Sequence, residues 1–140
     1  KWQPIKNKAL GYFSGNEAFP WSKHMIDTFK FNLDWNLLCS NEGIAWNIDL
    51  IDSFSKHVKW GGWKPCELLD EKGNVISPVG GKGHESGLID NNSVPWSIDL
   101  LQKYEQELEF EALESNIAVW EKAFKPYVDD NMIETIISIL

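Results

Sequence analysis

Apolar and polar positions along this chain recur with a step of about 25 residues. Pro20-Trp21-Ser22 returns as Pro95-Trp96-Ser97 and, in a weaker form, as Ala45-Trp46-Asn47. An apolar pair begins four residues after each Trp, and aromatic residues follow at eight and fourteen. Asn recurs with the same step, at Asn16, Asn41, Asn91 and Asn116. Because such a period marks repeat architectures, the fold class we expect is mainly α, a short solenoid-like stack of helical units.

Each unit contains a predicted helix start and a short second helix. Ser22, Asn47 and Ser97 follow the recurrent Trp and are residues that favour the N-cap position. Apolar residues four, five and eight positions after the Trp lie on one helical face, and the Trp is placed to pack on the fourth helical residue. The Asn after the second helix suits a left-handed helix end, and its amide can bond loop backbone.

The repeat predicts a single domain over residues 1–140. Its units are residues 9–33, 34–58, 91–115 and 116–140, with an irregular segment at 59–90. Glycines and Pro78 disfavour helix there, so we expect 66–90 to be a decayed or replaced unit. Glu67-Leu68-Leu69 and Asn74-Val75-Ile76-Ser77 predict a short hairpin, and 80–87 a surface loop. Asp129-Asp130-Asn131 suits a helix start, and residues 132–140 predict a last helix that either caps the stack or continues into further sequence.

The repeat resembles a known type of sequence. Asp34-Trp35, Leu38, Ser40-Asn41 and Pro95-Trp96-Ser97 are similar to the short Trp/Asn repeats of uncharacterised bacterial and large-DNA-virus proteins. The resemblance covers most of the chain except residues 66–90. It implies a helical repeat and brings no activity, cofactor or site with it.

Composition and charge narrow the possible partners. The chain is 43% hydrophobic and 24% charged, a globular balance, and no apolar run approaches the roughly 20 residues of a membrane span. Residues 1–65 carry eight Lys against six acidic residues, whereas residues 66–140 carry five Lys against fifteen, and Arg is absent. We therefore expect a basic protein partner, and neither nucleic acid nor a membrane.

The candidate chemistry is sparse. His24, His57 and His84 with Cys39 and Cys66 lack the spacing of a metal set or a nucleophile–base pair, so no metal, cofactor or enzyme activity is expected. The glycines of 80–87 do not have phosphate-loop spacing. Both cysteines are expected to be reduced and buried in a cytoplasmic protein. The Trp residues are expected in the core, with Trp2 and Trp63 as the exceptions.

These observations favour a non-enzymatic protein–protein interaction module, one form of which is an immunity-type inhibitor of a basic partner. The expected contact regions are the 66–90 loop and the acidic C-terminal half, because long loops are often functional. The candidate partner-binding residues are Trp63, Lys82, His84, Glu85, Glu105, Glu107, Glu109 and Glu111. Two alternatives stay open: an enzyme or a ligand- or metal-binding protein with its site in the 66–90 loop, and a structural module of a longer array.

Overall fold

The chain is mainly α-helical, with one two-stranded antiparallel sheet. The computed structural model describes residues 9–69 and 75–139, and at 65–69, 75–82, 135–136 and 139 it describes the backbone. The elements are α1 (residues 9–13), α2 (Lys23–Phe29), α3 (Trp35–Ser40), α4 (Ile48–Ser53), β1 (Gly62–Leu69), β2 (Val75–Glu85), a 3₁₀ turn (Leu88–Asp90), α5 (Ile98–Lys103), α6 (Phe110–Leu113), α7 (Ile117–Val119), a π turn (Trp120–Phe124), a 3₁₀ turn (Lys125–Tyr127) and α8 (Asp130–Ile139). None of the described helices is long and apolar enough to span a membrane.

The predicted helix starts are confirmed. The side chains of Ser22, Asn47 and Ser97 each accept a hydrogen bond from the backbone N–H three residues later, at 3.3, 2.8 and 3.2 Å. Capping depends on residues close in sequence, which is why the local pattern predicted it. The apolar pair that follows each cap turns inward, and Ile26 and Ile51 are fully buried.

Three buried asparagines join segments that are distant in sequence. The Nδ2 atoms of Asn41, Asn91 and Asn116 donate to the carbonyl oxygens of Ser14 (2.8 Å), Cys39 (2.8 Å) and Ile89 (2.6 Å). Each acceptor lies two residues before the preceding Asn of the series. Each Oδ1 atom accepts from the backbone N–H two residues later in its own turn. We call this series of bonds the Asn ladder.

The left-handed conformation expected for these asparagines is wrong. Asn41 has φ −73° and ψ 111°, and Asn91 has φ −90° and ψ 112°, which is extended backbone. Among the described residues, positive φ occurs at Gly61 and Gly62. The side chain explains the choice of Asn instead, since one amide satisfies its own turn and a carbonyl of the preceding segment.

The central segment forms a longer hairpin than predicted. β1 and β2 pair with Trp63 opposite His84 and Leu68 opposite Ser77, so the surface loop expected at 80–87 is wrong up to Glu85. Gly83 lies opposite Lys64 in this register, so strand pairing takes up a segment that the glycines had suggested was a loop. At the base, Gly61 has φ +84°, and a Cβ there would lie 2.7 Å from the carbonyl oxygen of Glu85.

The hairpin lies within a segment that otherwise follows the pattern. Trp35 packs on Phe54 with ring centroids 5.6 Å apart, and Trp60 packs on Tyr104 at 4.8 Å. The fully buried Leu38 follows Trp35 by three residues. The fully buried Leu88 follows Trp60, the counterpart of Trp35, by 28 residues. These contacts favour a 25-residue insertion between Trp60 and Leu88 over the decayed unit expected at 66–90.

The last helix starts as predicted and does not cap the core with its described side chains. Asp129 Oδ1 accepts from the Met132 N–H at 2.8 Å. Met132, Ile133 and Ile137 are nevertheless exposed. The 3₁₀ turn Lys125–Tyr127 stands between the π turn and α8, and it separates α8 from the segment that the Asn ladder holds.

Candidate functional site

An open apolar groove of about 500 Å³ lies in the C-terminal part of the chain. The end of α5, the short helix α6 and the helix that runs from α7 into the π turn form its walls. The apolar side chains that line it are Leu101, Phe110, Leu113, Ile117, Val119, Trp120 and Phe124. A second, smaller hollow beside it shares Leu101, Phe110 and Phe124. Together they form a continuous apolar surface, which we call the C-terminal groove.

Two aromatic residues of the groove are more exposed than counterparts at the same positions of the pattern. Phe110 is 56% exposed, whereas Trp35, at the same position of the pattern, is 8% exposed. Trp120 is 46% exposed, against 2% for Trp96. The expectation that Trp120 belongs to the core is therefore wrong.

The local cause of this exposure is a changed helix start. Asn116 caps α7 directly, with its Oδ1 accepting from the Ala118 N–H at 2.9 Å. The helix thus begins immediately after the Asn, whereas Asn91 is followed by a turn and an irregular segment that lead to Trp96 and the Ser97 cap. Trp120 consequently sits inside a helix and faces the groove instead of preceding one and entering the core.

Glutamates surround the groove. Residues 104–121 contain six Glu and no Lys or Arg. Glu114 lines the groove and Glu105 lines the adjoining hollow, while Glu107 and Glu111 are exposed nearby in sequence. Acidic side chains around an apolar surface attract a cationic partner and disfavour an anionic one. Of the predicted acidic candidates, Glu105 lines this apolar surface, which the repeat pattern did not predict.

The hairpin base brings together four other candidates. The Trp63 and His84 rings face each other across the strands with centroids 5.1 Å apart, and Glu85 pairs with Gly62. Glu109 Oε2 accepts from the Trp63 backbone N–H. Glu109 thus links the hairpin to the segment that enters α6. Lys82 lies opposite Pro65 in the strand register, and its side chain is outside the described part of the structure, as is Trp2.

The described titratable groups near the hairpin include one close pair and one buried thiol. His84 Nε2 lies 2.7 Å from Asp90 Oδ1 at the hairpin base. Cys39 is fully buried, and burial raises the pKa of its thiol to about 12, so it stays protonated at neutral pH. The Cys66 side chain lies outside the part of the chain that the structure describes. Among the described residues, no three His, Cys, Asp or Glu side chains are grouped to hold a metal ion.

One sequence signal could have revealed the groove. Phe110 and Trp120 are the last aromatics of their two series, and the aromatic expected eight residues after the Trp is missing, since Val128 stands there. A position that needs a neighbour to cover it, with no covering residue in the pattern, predicts exposure.

No family model, curated protein or solved structure matches this chain significantly.

Proposed function

We propose that this chain is a helical-repeat scaffold that binds another protein through the C-terminal groove. The observation that carries the proposal is the exposure of Phe110, Ile117, Trp120 and Phe124 around one apolar hollow. Contiguous exposed apolar surface of this kind is typical of interaction sites, whereas scattered apolar side chains are not. The Asn ladder supports the role of a scaffold, because it joins the recurring segments through buried hydrogen bonds.

The groove and its glutamates together favour a basic helical partner. A short helix with an apolar face and flanking Lys or Arg would place its apolar side chains in the groove and its cations beside Glu105 and Glu114. An immunity-type inhibitor of a basic enzyme, working in the cytoplasm, is a narrower form of the same proposal. The acidic C-terminal half supports that form.

The other interpretations have less support. A site in the 66–90 segment would use His84, which is held by Asp90, or Cys66. The exposed Trp63 and Glu85 instead suit a second contact with the same partner. Glu109, which accepts from the Trp63 N–H, connects this part of the hairpin to α6 of the groove. A purely structural role in a longer array uses the Asn ladder and leaves the exposed aromatic groove without a purpose.

A peptide pair tests the proposal. A fluorescein-labelled, Lys-flanked amphipathic peptide rich in Leu is compared with the same peptide carrying Glu in place of Lys, by fluorescence anisotropy. We expect the basic peptide to bind with a Kd in the range of about 10 μM, and the acidic peptide to bind at least about tenfold more weakly. Raising the salt concentration should weaken the basic peptide's binding.

Two variants locate the binding. Ile117→Glu places a charge in the groove at an exposed position, so it should lower the affinity at least about tenfold without unfolding the chain. Phe31→Glu is the matched control, since Phe31 is the most exposed large apolar residue described and does not line the groove. Equal binding of both peptides, or equal loss in both variants, would contradict the proposal.

A further inference from the structure

We infer that the C-terminal groove of one copy of this chain receives α8 of a second copy, so that two copies associate through α8. The inference goes beyond the proposed function, because it assigns the same groove a second occupant. The inference has two grounds. The sequence of α8 matches that of helices whose apolar face is buried in the core, and the groove has no such helix over it.

The sequence of α8 follows the pattern of α2, α4 and α5. Asp129 caps α8 through the N–H three residues later, as Ser22, Asn47 and Ser97 do in their helices. An apolar pair occupies the third and fourth positions after each cap, and Met132-Ile133 is the pair in α8. The seventh position after the cap holds Phe29, Phe54, Tyr104 and, in α8, Ile136.

The apolar pair of α8 has no cover, unlike its counterparts. Met132 and Ile133 are 50% and 44% exposed, whereas Ile26 and Ile51 are each 1% exposed. The same pattern of residues is therefore buried in α2 and α4 and presented to solvent in α8. An amphipathic helix with its apolar stripe exposed gains free energy by burying that stripe.

The groove lacks the contact that α8 is suited to make. Trp35 packs on Phe54, seven residues after the Asn47 cap, and Trp60 packs on Tyr104, seven residues after the Ser97 cap. Phe110 is the next aromatic of this series, and among the described residues no aromatic ring packs on it. An α8 helix seated in the groove would place its apolar pair, Met132 and Ile133, over Phe110 and Leu113.

The linker explains why the occupant belongs to a second copy. The groove wall ends at Phe124, and the cap of α8 is only five residues later. The 3₁₀ turn Lys125–Tyr127 fills that interval, with the Val128 N–H donating to the Lys125 carbonyl at 3.2 Å. Met132 and Ile133 of α8 and Phe110 and Trp120 of the groove are all exposed, so the α8 of the same copy leaves both surfaces open. Exchange of an identical element between copies is a low-cost route to a dimer in this situation.

Charge gives the association a distinctive salt dependence. α8 begins with Asp129 and Asp130, and the groove is flanked by Glu105 and Glu114. These like charges repel across the contact, and salt screens the repulsion. Self-association should therefore strengthen as salt is added, whereas binding of the basic peptide should weaken.

Sedimentation equilibrium tests the inference. The wild-type chain should show a monomer–dimer equilibrium whose association constant rises with NaCl concentration. Ile133→Asp in α8 and Phe110→Asp in the groove should each abolish the dimer, and an equimolar mixture of the two variants should recover part of it, because one intact groove then meets one intact α8. Phe31→Asp should dimerise like the wild type. All three altered side chains are exposed, and circular dichroism checks that the variants fold.

Three results would overturn the inference. The first is a wild type that stays monomeric at every protein and salt concentration, and the second is a dimer that survives Ile133→Asp. The third is a rise in acrylamide quenching of Trp120 on Ile133→Asp that does not depend on protein concentration, because it would show that α8 covers the groove of its own copy. Peptide binding separates this failure from that of the proposed function. If Ile133→Asp binds the basic peptide, the proposed function stands; if the wild type dimerises and no peptide binds, the inference stands alone.

Discussion

The Nδ2 atom of Asn91 lies 3.0 Å from the carbonyl oxygen of Asn41, a residue 50 positions earlier in the chain. The same atom lies 2.8 Å from the Cys39 carbonyl oxygen. One amide thus holds two segments together across the inserted hairpin. The indole donors of the series differ: Trp21 and Trp96 Nε1 donate to the Asn16 and Asn91 carbonyls, whereas the buried Trp46 Nε1 has no partner in the described structure.

Removing the Asn91 amide should destabilise the chain strongly. Asn91→Ala leaves the Cys39 carbonyl buried without its partner and removes the acceptor of the Ser93 N–H. We expect the free energy of unfolding to fall by about 3 kcal/mol in urea titrations. The exposed Asn36, on α3, provides the control, and Asn36→Ala should change stability by less than about 0.5 kcal/mol. Equal effects of the two substitutions would argue against the Asn ladder.

The buried thiol of Cys39 should make stability fall in alkaline solution. Its pKa is raised from 9.0 to about 12 in the folded chain, chiefly by burial. The folded state therefore keeps the proton longer than the unfolded state does, so the stabilisation is complete below pH 9 and is lost as pH rises towards 12. The wild type should lose at most about 1.4 kcal/mol per pH unit more than Cys39→Ala in this window. Parallel pH profiles of the two chains would show that the thiol is not responsible.

Asp52 should titrate below its ordinary range because it joins α4 to α5. Its carboxylate accepts from Lys103 Nζ and from the Tyr104 hydroxyl, both at 2.6 Å, and these bonds lower its pKa. The contribution to stability is present above the ordinary pKa of Asp and is lost as pH falls through the lowered value. NMR titration should show the Asp52 midpoint moving upward in Lys103→Ala. Lys125→Ala, whose ammonium pairs with Glu121 instead, should leave it in place.

The hairpin should be removable without loss of the fold. Its base is closed by the bonds from the Leu88 and Ile89 N–H groups to the Lys59 and Trp60 carbonyls, both 2.9 Å. Joining Trp63 to His84 through Asn-Gly keeps this base and the cross-strand pair, and a two-residue turn suits antiparallel strands. We expect the free energy of unfolding to stay within about 1 kcal/mol of the full chain. Loss of cooperative unfolding would instead place the strands in the core.

Local patterns predicted the parts of the fold that depend on neighbouring residues. The caps at Ser22, Asn47 and Ser97 and the buried apolar pairs depend on spacing within one helix, and the structure confirms them. The hairpin insertion could not be recognised, because its length of 25 residues preserves the step and makes Trp63 the apparent counterpart of Leu38, a place that Leu88 takes. The groove was missed because exposure depends on which segment follows, and the periodicity of Trp120 alone predicts burial.

The tryptophan indole N–H signals of the ¹⁵N-labelled chain, followed during titration with the basic amphipathic peptide, test the central claim most directly. If the C-terminal groove is the contact surface, the Trp120 signal shifts in a saturable way, while the buried Trp46 and Trp96 signals stay in place. Ile117→Glu should abolish the shift, and Phe31→Glu should preserve it. A shift confined to Trp63 on the hairpin, or no shift of Trp120 at a saturating peptide concentration, would contradict the claim.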